Sequence, residues 1–484
     1  MRKVVLFLAC VLALAASPAW ADPSLAAPQL HVPSGFRVSL QREIAPGLIR
    51  ATLVRTDPPA VVNVAVRGAG SPAELQVVLS NGAVAGPDPR LERTSSMCSR
   101  VDCLVAVNGD FFGNATGEPV GAVVANDQLL RSPNPRHHQL SESSDGALAT
   151  GQLAWRGTLV PSDLEQLSLD GVNVPRGPDE LVLYTPAQGP TTAANQFGAE
   201  LVMQVVRPAG PIKLRKTTLV RLVELRHAGD SPIPADGAVL SGHGRGQREL
   251  EALWARVQAE TADPEALLRL DVTPDVVESI GGSPILVRNG RRWFPEESRA
   301  LYTLRAPRSM AGWTATGDLL LATVDGRQAG YSVGMTMEEA AELMIGLGAV
   351  EAINLDGGGS TAFVVDGAVI NRPSDRAVRR DGRTVLVKTP RAGDRVIGNI
   401  ERPVAVALAL VGPRGTALGG EAARASLVVP LGNPGAPVGT SSALLMSAAD
   451  GSDAGGLAMV LLALSLAVFS ARRRRAVPAF LPAR

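Results

Sequence analysis

The chain has 484 residues, 45% apolar, 19% charged and 4% aromatic, with 50 glycines and 36 prolines. That balance excludes a disordered chain, a collagen and a coiled coil, and describes a large globular protein rich in turns. The formal charge is +1, but seven basic residues (Arg2, Lys3, the four arginines at 472–475, and Arg484) lie at the two ends; without them the body stands near −6, which argues against a basic nucleic-acid surface.

Met1-Arg2-Lys3, an apolar run from Val4 to Ala16 and the small-x-small site Ala19-Trp20-Ala21 read as a secretory signal peptide over 1–21, cleaved before Asp22. Cys10, after Phe7-Leu8-Ala9, makes a poor lipoprotein box that would leave too short a hydrophobic segment. An N-terminal extension occupies 22–44 and the working domain 45–411. From Phe36 to Leu79, short apolar runs at Leu48–Val54, Val61–Val66 and Leu75–Leu79 are punctuated by Pro, Gly and Asn81-Gly82, and predict strands joined by tight turns. Once a leader is removed, Cys98 and Cys103 are the two cysteines left, and an oxidising compartment favours a disulfide between them over a metal site.

The run Leu104-Val105-Ala106-Val107-Asn108-Gly109-Asp110-Phe111-Phe112 is a strand that ends in polar groups its apolar pattern does not require. Asp110, ahead of two phenylalanines, suits a desolvated acid/base role; the plainer reading is a solvated turn aspartate. Residues 156–214 carry no motif and read as an insert of substrate-facing loops. An amphipathic helix is expected over Glu249–Ala259, covering a sheet. Hairpin signals follow at Asn289-Gly290, Asp325-Gly326 and Asp366-Gly367, so a largely antiparallel sheet is expected. The clearest helix starts at Thr336, where Thr-Met-Glu-Glu forms a capping box, and stops at Gly348.

The most informative segment is Asn354-Leu355-Asp356-Gly357-Gly358-Gly359-Ser360-Thr361, a strand that runs into an acid and then three glycines. Such a turn can aim several N–H groups at one oxygen beside Asp356, although a tight hairpin would use the same residues. It lacks the lysine and the following helix of a nucleotide-binding loop. Arg308, Arg327 and Arg372 offer guanidinium groups suited to a phosphodiester. From 412 to 453 the composition thins to a linker. The uncharged stretch 454–471 would span about 27 Å as a helix, enough for a bilayer core. The arginines that follow predict a cytoplasmic tail over 472–484, with the body outside the cell and anchored by this helix, or secreted if the tail is removed.

Asn108 to Phe112, Leu240-Ser241-Gly242-His243-Gly244, Gly281 to Leu286, Pro307-Arg308-Ser309, Thr323 to Arg327, Gly334-Met335-Thr336, Asn354 to Thr361 and Asn371 to Asp375 resemble, in order and approximate spacing, the phosphodiester glycosidase domain. The resemblance covers roughly Ala45 to Leu410. It implies an α+β fold with one β-rich catalytic domain, a largely antiparallel or mixed sheet and a few covering helices. It also implies an extracytoplasmic hydrolase of glycosyl phosphodiesters, with a GlcNAc-like sugar in envelope glycans or glycoconjugates. Asp356 would be the nucleophile or general base and Asp110 its acid/base partner. Arg308 and Arg372 would take the phosphate. Asn108, Gly357, Gly358, Gly359, Ser360, Thr361, Asp375 and His243 would complete the substrate site. A divalent cation, calcium or magnesium, held by Asp110 and Asp356 is an expectation of the same kind. Relatives often carry Asn where Val406 stands, which would alter specificity if that side chain touched substrate. The competing readings are a non-catalytic surface module for phosphoglycans and an exopolysaccharide assembly factor.

Overall fold

The structure is a computed structural model that describes residues 27–85, 91–161, 165–293, 300–387, 391 and 393–413. The expected leader over 1–21, the linker beyond 413 and the expected membrane helix over 454–471 lie outside the described residues. Among the described residues no helix is long and apolar enough to cross a membrane.

The expected strands at Leu48–Val54 and Val61–Val66 are present as Leu48–Thr56 and Pro59–Arg67, and Arg37–Ala45, which no apolar run announces, joins them in a three-stranded meander. They extend through Leu319–Val324, Arg308–Thr314, Ala349–Asn354, Ile285–Arg288 and Arg291–Arg292 into one eight-stranded antiparallel sheet. A second eight-stranded sheet is built from 154–273 and holds one parallel pair, Gly171–Val172 beside Leu181–Tyr184. Two five-stranded sheets and a three-stranded one complete the described body. The fold is therefore β-rich and mixed, with few helices, as expected.

Why the central strands read as unbroken apolar runs is visible in Leu319–Val324. Leu319 and Leu321 enter one core cluster, while Leu320, Ala322 and Val324 enter another. The first cluster joins three sheets: Leu48, Ala311 and Ile353 meet Val105, Phe363 and Leu408 of a second sheet and Val123, Leu140 and Ile280 of a third. The second cluster lies under the helix Met337–Gly346, whose Ala340, Leu343 and Met344 face inward. Each fully buried leucine or isoleucine contributes about 1.5–3 kcal/mol, so the strands are fixed by burial on both faces.

Thr336 caps that helix with the reciprocal Glu339 bonds the sequence predicts, and Gly348 follows its end at φ +93°. The helix Arg245–Glu260 covers the second sheet through Leu250, Leu253 and Val257, four residues longer at its start than the periodicity suggests. Cys98 and Cys103 form the expected disulfide. Asn289-Gly290 and Asp366-Gly367 are hairpins. Two turn signals are not. Asn81-Gly82 closes a short 3-10 turn after Glu74–Leu79, which pairs instead with the distant Val406–Val411. Asp325-Gly326 leads out of the sheet, because its carboxylate is an internal anchor described below.

Val406 is fully buried in the central cluster, beside Gly109. A side chain there meets the core rather than the open end of a loop. Val406→Asn places an amide among Ile280, Leu408 and Phe363, and is expected to cost about 2–4 kcal/mol in urea unfolding. An unfolding midpoint equal to the wild type's would contradict the burial argument.

Candidate active site

The strand ends at Asn108 and Asn354 meet, and one asparagine ties the junction together. Asn108 donates from Nδ2 to the Asp356 carbonyl (2.5 Å), while its Oδ1 accepts from Ser309 Oγ (2.6 Å) and Ala362 N (3.1 Å). Asp356 N donates to the Gly109 carbonyl (2.9 Å). Asn108 is fully buried and its amide is spent inside the protein. It therefore positions the Asp356 loop and does not orient substrate, a correction to the sequence reading.

The three glycines are needed for close approach. A Cβ at Gly357 would stand 2.7 Å from the Pro307 carbonyl, and one at Gly359 would stand 2.1 Å from Arg402 Nη2 and 2.2 Å from Asp375 Oδ1. Gly358, at φ +63°, donates its N–H to Pro307 O (2.8 Å). Behind the turn, Arg402 is gripped by Asp375: Nε and Nη2 reach Oδ2 at 2.8 and 2.6 Å, and Nη1 reaches Ser360 Oγ at 3.3 Å. Arg402 keeps a quarter of its side chain exposed.

Asp356 sits at the rim of this turn and keeps partial access to solvent. Burial pushes its carboxyl up to about 6; a Ser360 hydrogen bond and the Arg402 charge pull against that, and the charge of Asp110 adds to it. A carboxyl poised near 6 suits acid/base or nucleophilic work near neutral pH.

Asp110 is enclosed. Its Oδ1 accepts from Phe111 N and meets His137 Nε2, both at 2.7 Å, and its Oδ2 accepts from Gly121 N at 2.6 Å. A Cβ at Gly281 would stand 2.3 Å from Oδ2, so a glycine there lets the carboxylate seat itself. Asp110 thus serves to orient His137, whose ring meets Phe111 edge-on. The carboxylate oxygens expected to share a cation with Asp356 already hold hydrogen bonds. Among the described residues no group of three or more His, Cys, Asp or Glu could hold a metal ion.

The guanidinium groups sort differently from expectation. Arg308 is buried, with Nε donating to Met335 O (2.9 Å) and Nη2 to Leu304 O (2.8 Å). Burial, helped by the nearby Arg327 charge, brings its pKa down to about 10. Arg372 is exposed and its guanidinium lies over the Tyr331 ring at 5.1 Å. Arg327, exposed and at φ +60°, reaches Ser374 Oγ at 3.4 Å and passes close to Gly358. So Arg327 and Arg402, rather than Arg308 and Arg372, flank the glycine turn.

Asp325 holds this arrangement from beneath. It accepts from Asn371 Nδ2 (2.8 Å), Arg372 N (3.0 Å) and Tyr331 OH (2.8 Å), and burial raises its carboxyl to about 6. Thr361 is buried, its hydroxyl without a hydrogen-bond partner among the described residues and its carbonyl accepting from Asn371. His243 lies in the second sheet's region, bonding through its backbone to Glu180 and Gly246, and joins none of these groups. Arg402 and His137 are the site members the sequence reading missed. Arg402 stands in a Glu-Arg-Pro run without motif character, and only its approach to Gly359 reveals it.

A separate cavity of about 790 Å³, lined by Arg67, Glu74, Glu142, Glu278 and Trp313 among others, opens at the opposite ends of these strands. It contains none of the groups above.

Residues 215–388 match the phosphodiester glycosidase family. The match includes Asp356, the glycine turn and Arg327, while Asp110, His137 and Arg402 lie outside it and are brought in by the fold. The chain is 32% identical over 142 residues to N-acetylglucosamine-1-phosphodiester alpha-N-acetylglucosaminidase of Bos taurus, covering 25% of this chain and 27% of that protein. The human protein of the same name is 30% identical over 142 residues, with the same coverage. The chain thus spans about a quarter of the length of these curated relatives. Among solved structures, an exported protein described as putative from Burkholderia pseudomallei aligns with a TM-score of 0.52 and 24% identity over 73% of this chain and 74% of that one. A hypothetical protein from Synechocystis aligns with a TM-score of 0.56 and 19% identity over 77% of this chain and 63% of that one. These two share the fold.

Proposed function

From a chain whose residues 215–388 belong to the phosphodiester glycosidase family, we propose an extracytoplasmic hydrolase that cleaves the bond between an anomeric carbon and a phosphodiester oxygen. The observation that carries the reading is Asp356: a carboxyl held near 6 at the rim of a glycine turn, with Arg327 and Arg402 on either side. The substrate is a sugar 1-phosphate diester with a GlcNAc-like sugar, in envelope glycans or glycoconjugates. The domain runs from the strand Arg37–Ala45, which pairs into the main sheet ahead of the start expected at 45, to 411, behind a leader and ahead of a linker and membrane anchor.

Asp356, ionised, either attacks the anomeric carbon, forming a glycosyl ester that water then hydrolyses to free the sugar and the carboxylate, or takes a proton from the water that attacks directly. The bond to the phosphate oxygen breaks, and its electron pair leaves on a phosphate monoester. That leaving group is far more stable than a sugar alkoxide, so the cationic pair replaces the second carboxylic acid of ordinary glycosidases. Arg327 and Arg402 offset the charge that grows on the departing phosphate. His137, its Nε2 held by Asp110 Oδ1 at 2.7 Å, offers its other ring nitrogen as a hydrogen-bond partner for the incoming water or a sugar hydroxyl.

The test is phosphorus NMR of the full-length chain with a GlcNAc phosphodiester, with and without a chelator. Appearance of a phosphate monoester signal and reducing GlcNAc is expected in both samples. An intact ligand that binds calorimetrically would overturn hydrolysis and leave a surface phosphoglycan-binding protein.

A further inference from the structure

The body averages negative, yet residues 376–399 hold seven basic side chains against Asp381 and Asp394, a net of +5. Five of them, Arg376, Arg379, Arg380, Arg383 and Arg395, lie in the three-stranded sheet of Arg376–Arg380, Arg383–Val387 and Arg395–Asn399. Within it like charges stand directly opposite each other: Arg379 faces Arg395, and Arg380 faces Arg383. Opposed residues of antiparallel strands lie about 4.5–5.5 Å apart at Cα, and like charges there repel.

The described acids relieve little of this. Asp394 is committed to Arg380 through two hydrogen bonds (2.8 and 2.6 Å) and to Arg391 N (2.8 Å). Asp381 is exposed at the turn. Arg379 reaches only a hydroxyl, Thr384 Oγ1, at 3.1 Å, and among the described residues Arg376, Arg383 and Arg395 meet no carboxylate. Arg379, Arg383 and Arg395 are exposed. The ribbon costs repulsion in the free protein that an anion on its surface would relieve.

This sheet is rooted in the candidate site. Asp375, which grips Arg402, directly precedes its first strand, and Ile400 N, just after its last, donates to Asp375 O at 2.9 Å. Asn399 Nδ2 donates to Pro373 O at 2.6 Å.

We propose that the ribbon is a rail for a polyanionic chain, and that the natural substrate of the site is a polymer with repeated phosphodiesters rather than an isolated one. The inference rests on the glycosidase reading for what happens to the polymer, but the rail itself is tested by binding. Continuity with the glycine turn favours the substrate's own chain over a membrane surface, although Val396 and Ile397 are also exposed there.

The experiment compares the full-length wild type with Arg379→Ala/Arg383→Ala/Arg395→Ala and with the corresponding triple lysine variant. Anisotropy reads the binding of a fluorescent poly(glycerol phosphate) across a salt series, and a small GlcNAc phosphodiester reads hydrolysis in parallel. Wild type and the lysine variant should bind the polymer with steep salt dependence. The alanine variant should bind at least about tenfold more weakly, with the slope of log K against log salt reduced by about two, as three lost cation–phosphate contacts on a flexible chain require. Its turnover of the small diester should match the wild type. Equal polymer binding by wild type and the alanine variant overturns the rail. Binding to phosphatidylglycerol vesicles that the alanine variant loses, with polymer binding unchanged, also overturns it and makes the ribbon a membrane face. If neither protein hydrolyses the small diester but the alanine variant still loses the polymer, the rail stands and the glycosidase reading falls.

Discussion

Asp356→Asn is expected to lower kcat on a glycosyl phosphodiester by about a thousandfold or more, because on the proposed mechanism it removes the group that attacks or activates water while preserving its shape. The folded protein should not suffer. Burial raises the Asp356 carboxyl from 3.8 to about 6, so the folded state holds its proton more tightly than the unfolded state does. Stability from that group is full below about 4 and is lost as pH rises through about 6, whereas asparagine never ionises. The variant should therefore melt at or above the wild-type temperature at pH 7 and diverge least at pH 4. The wild type should show the complementary kinetic sign: kcat/KM rising with pH as the carboxylate forms, half-developed near 6. Activity that instead falls as pH rises through 6 would make Asp356 a general acid. Retained activity in the asparagine variant would remove it from the mechanism altogether.

Arg402→Gln should cost about a hundredfold in kcat/KM, a magnitude typical of losing one preorganised contact to developing charge. A second effect separates catalysis from architecture. Arg402 is one of three groups that hold the Asp356 carboxyl down against burial, the others being the Ser360 hydrogen bond and the Gly357 backbone N–H. Without it the carboxyl rises above about 6, and the acidic limb of the pH profile moves to higher pH. Glutamine can still donate to Asp375, so part of the scaffold is kept. Were Arg402 only a brace for Asp375, activity would fall equally at every pH with the limb in place.

Much of the fold was legible because burial writes itself into the pattern. The strand Leu319–Val324 is apolar at every position but Thr323 since both faces are covered, and the capping box at Thr336 sets a helix start by local chemistry. What the sequence could not show is which polar groups are consumed internally. Asn108, Arg308 and Asp110 look like site residues in a row of letters, yet carbonyls, backbone N–H groups and His137 occupy their hydrogen-bonding atoms. The reverse error arose at Arg402 and His137, which stand in unremarkable surroundings and reach the glycine turn and Asp110 only through tertiary contact. Net charge misled in a third way. An average near −6 hid the basic ribbon, because a sum carries no information about which strands lie side by side.

Hydrolysis of a GlcNAc phosphodiester by the full-length chain in ¹⁸O-water tests the central claim most directly, since it reports which bond breaks. Attack at the anomeric carbon places the label in the released sugar and none in the phosphate, which is the result expected here, with the label absent from both when Asp356→Asn is used. Label in the phosphate monoester would mean that the phosphorus–oxygen bond is cut, and would contradict the assignment of Asp356 to the sugar's anomeric centre.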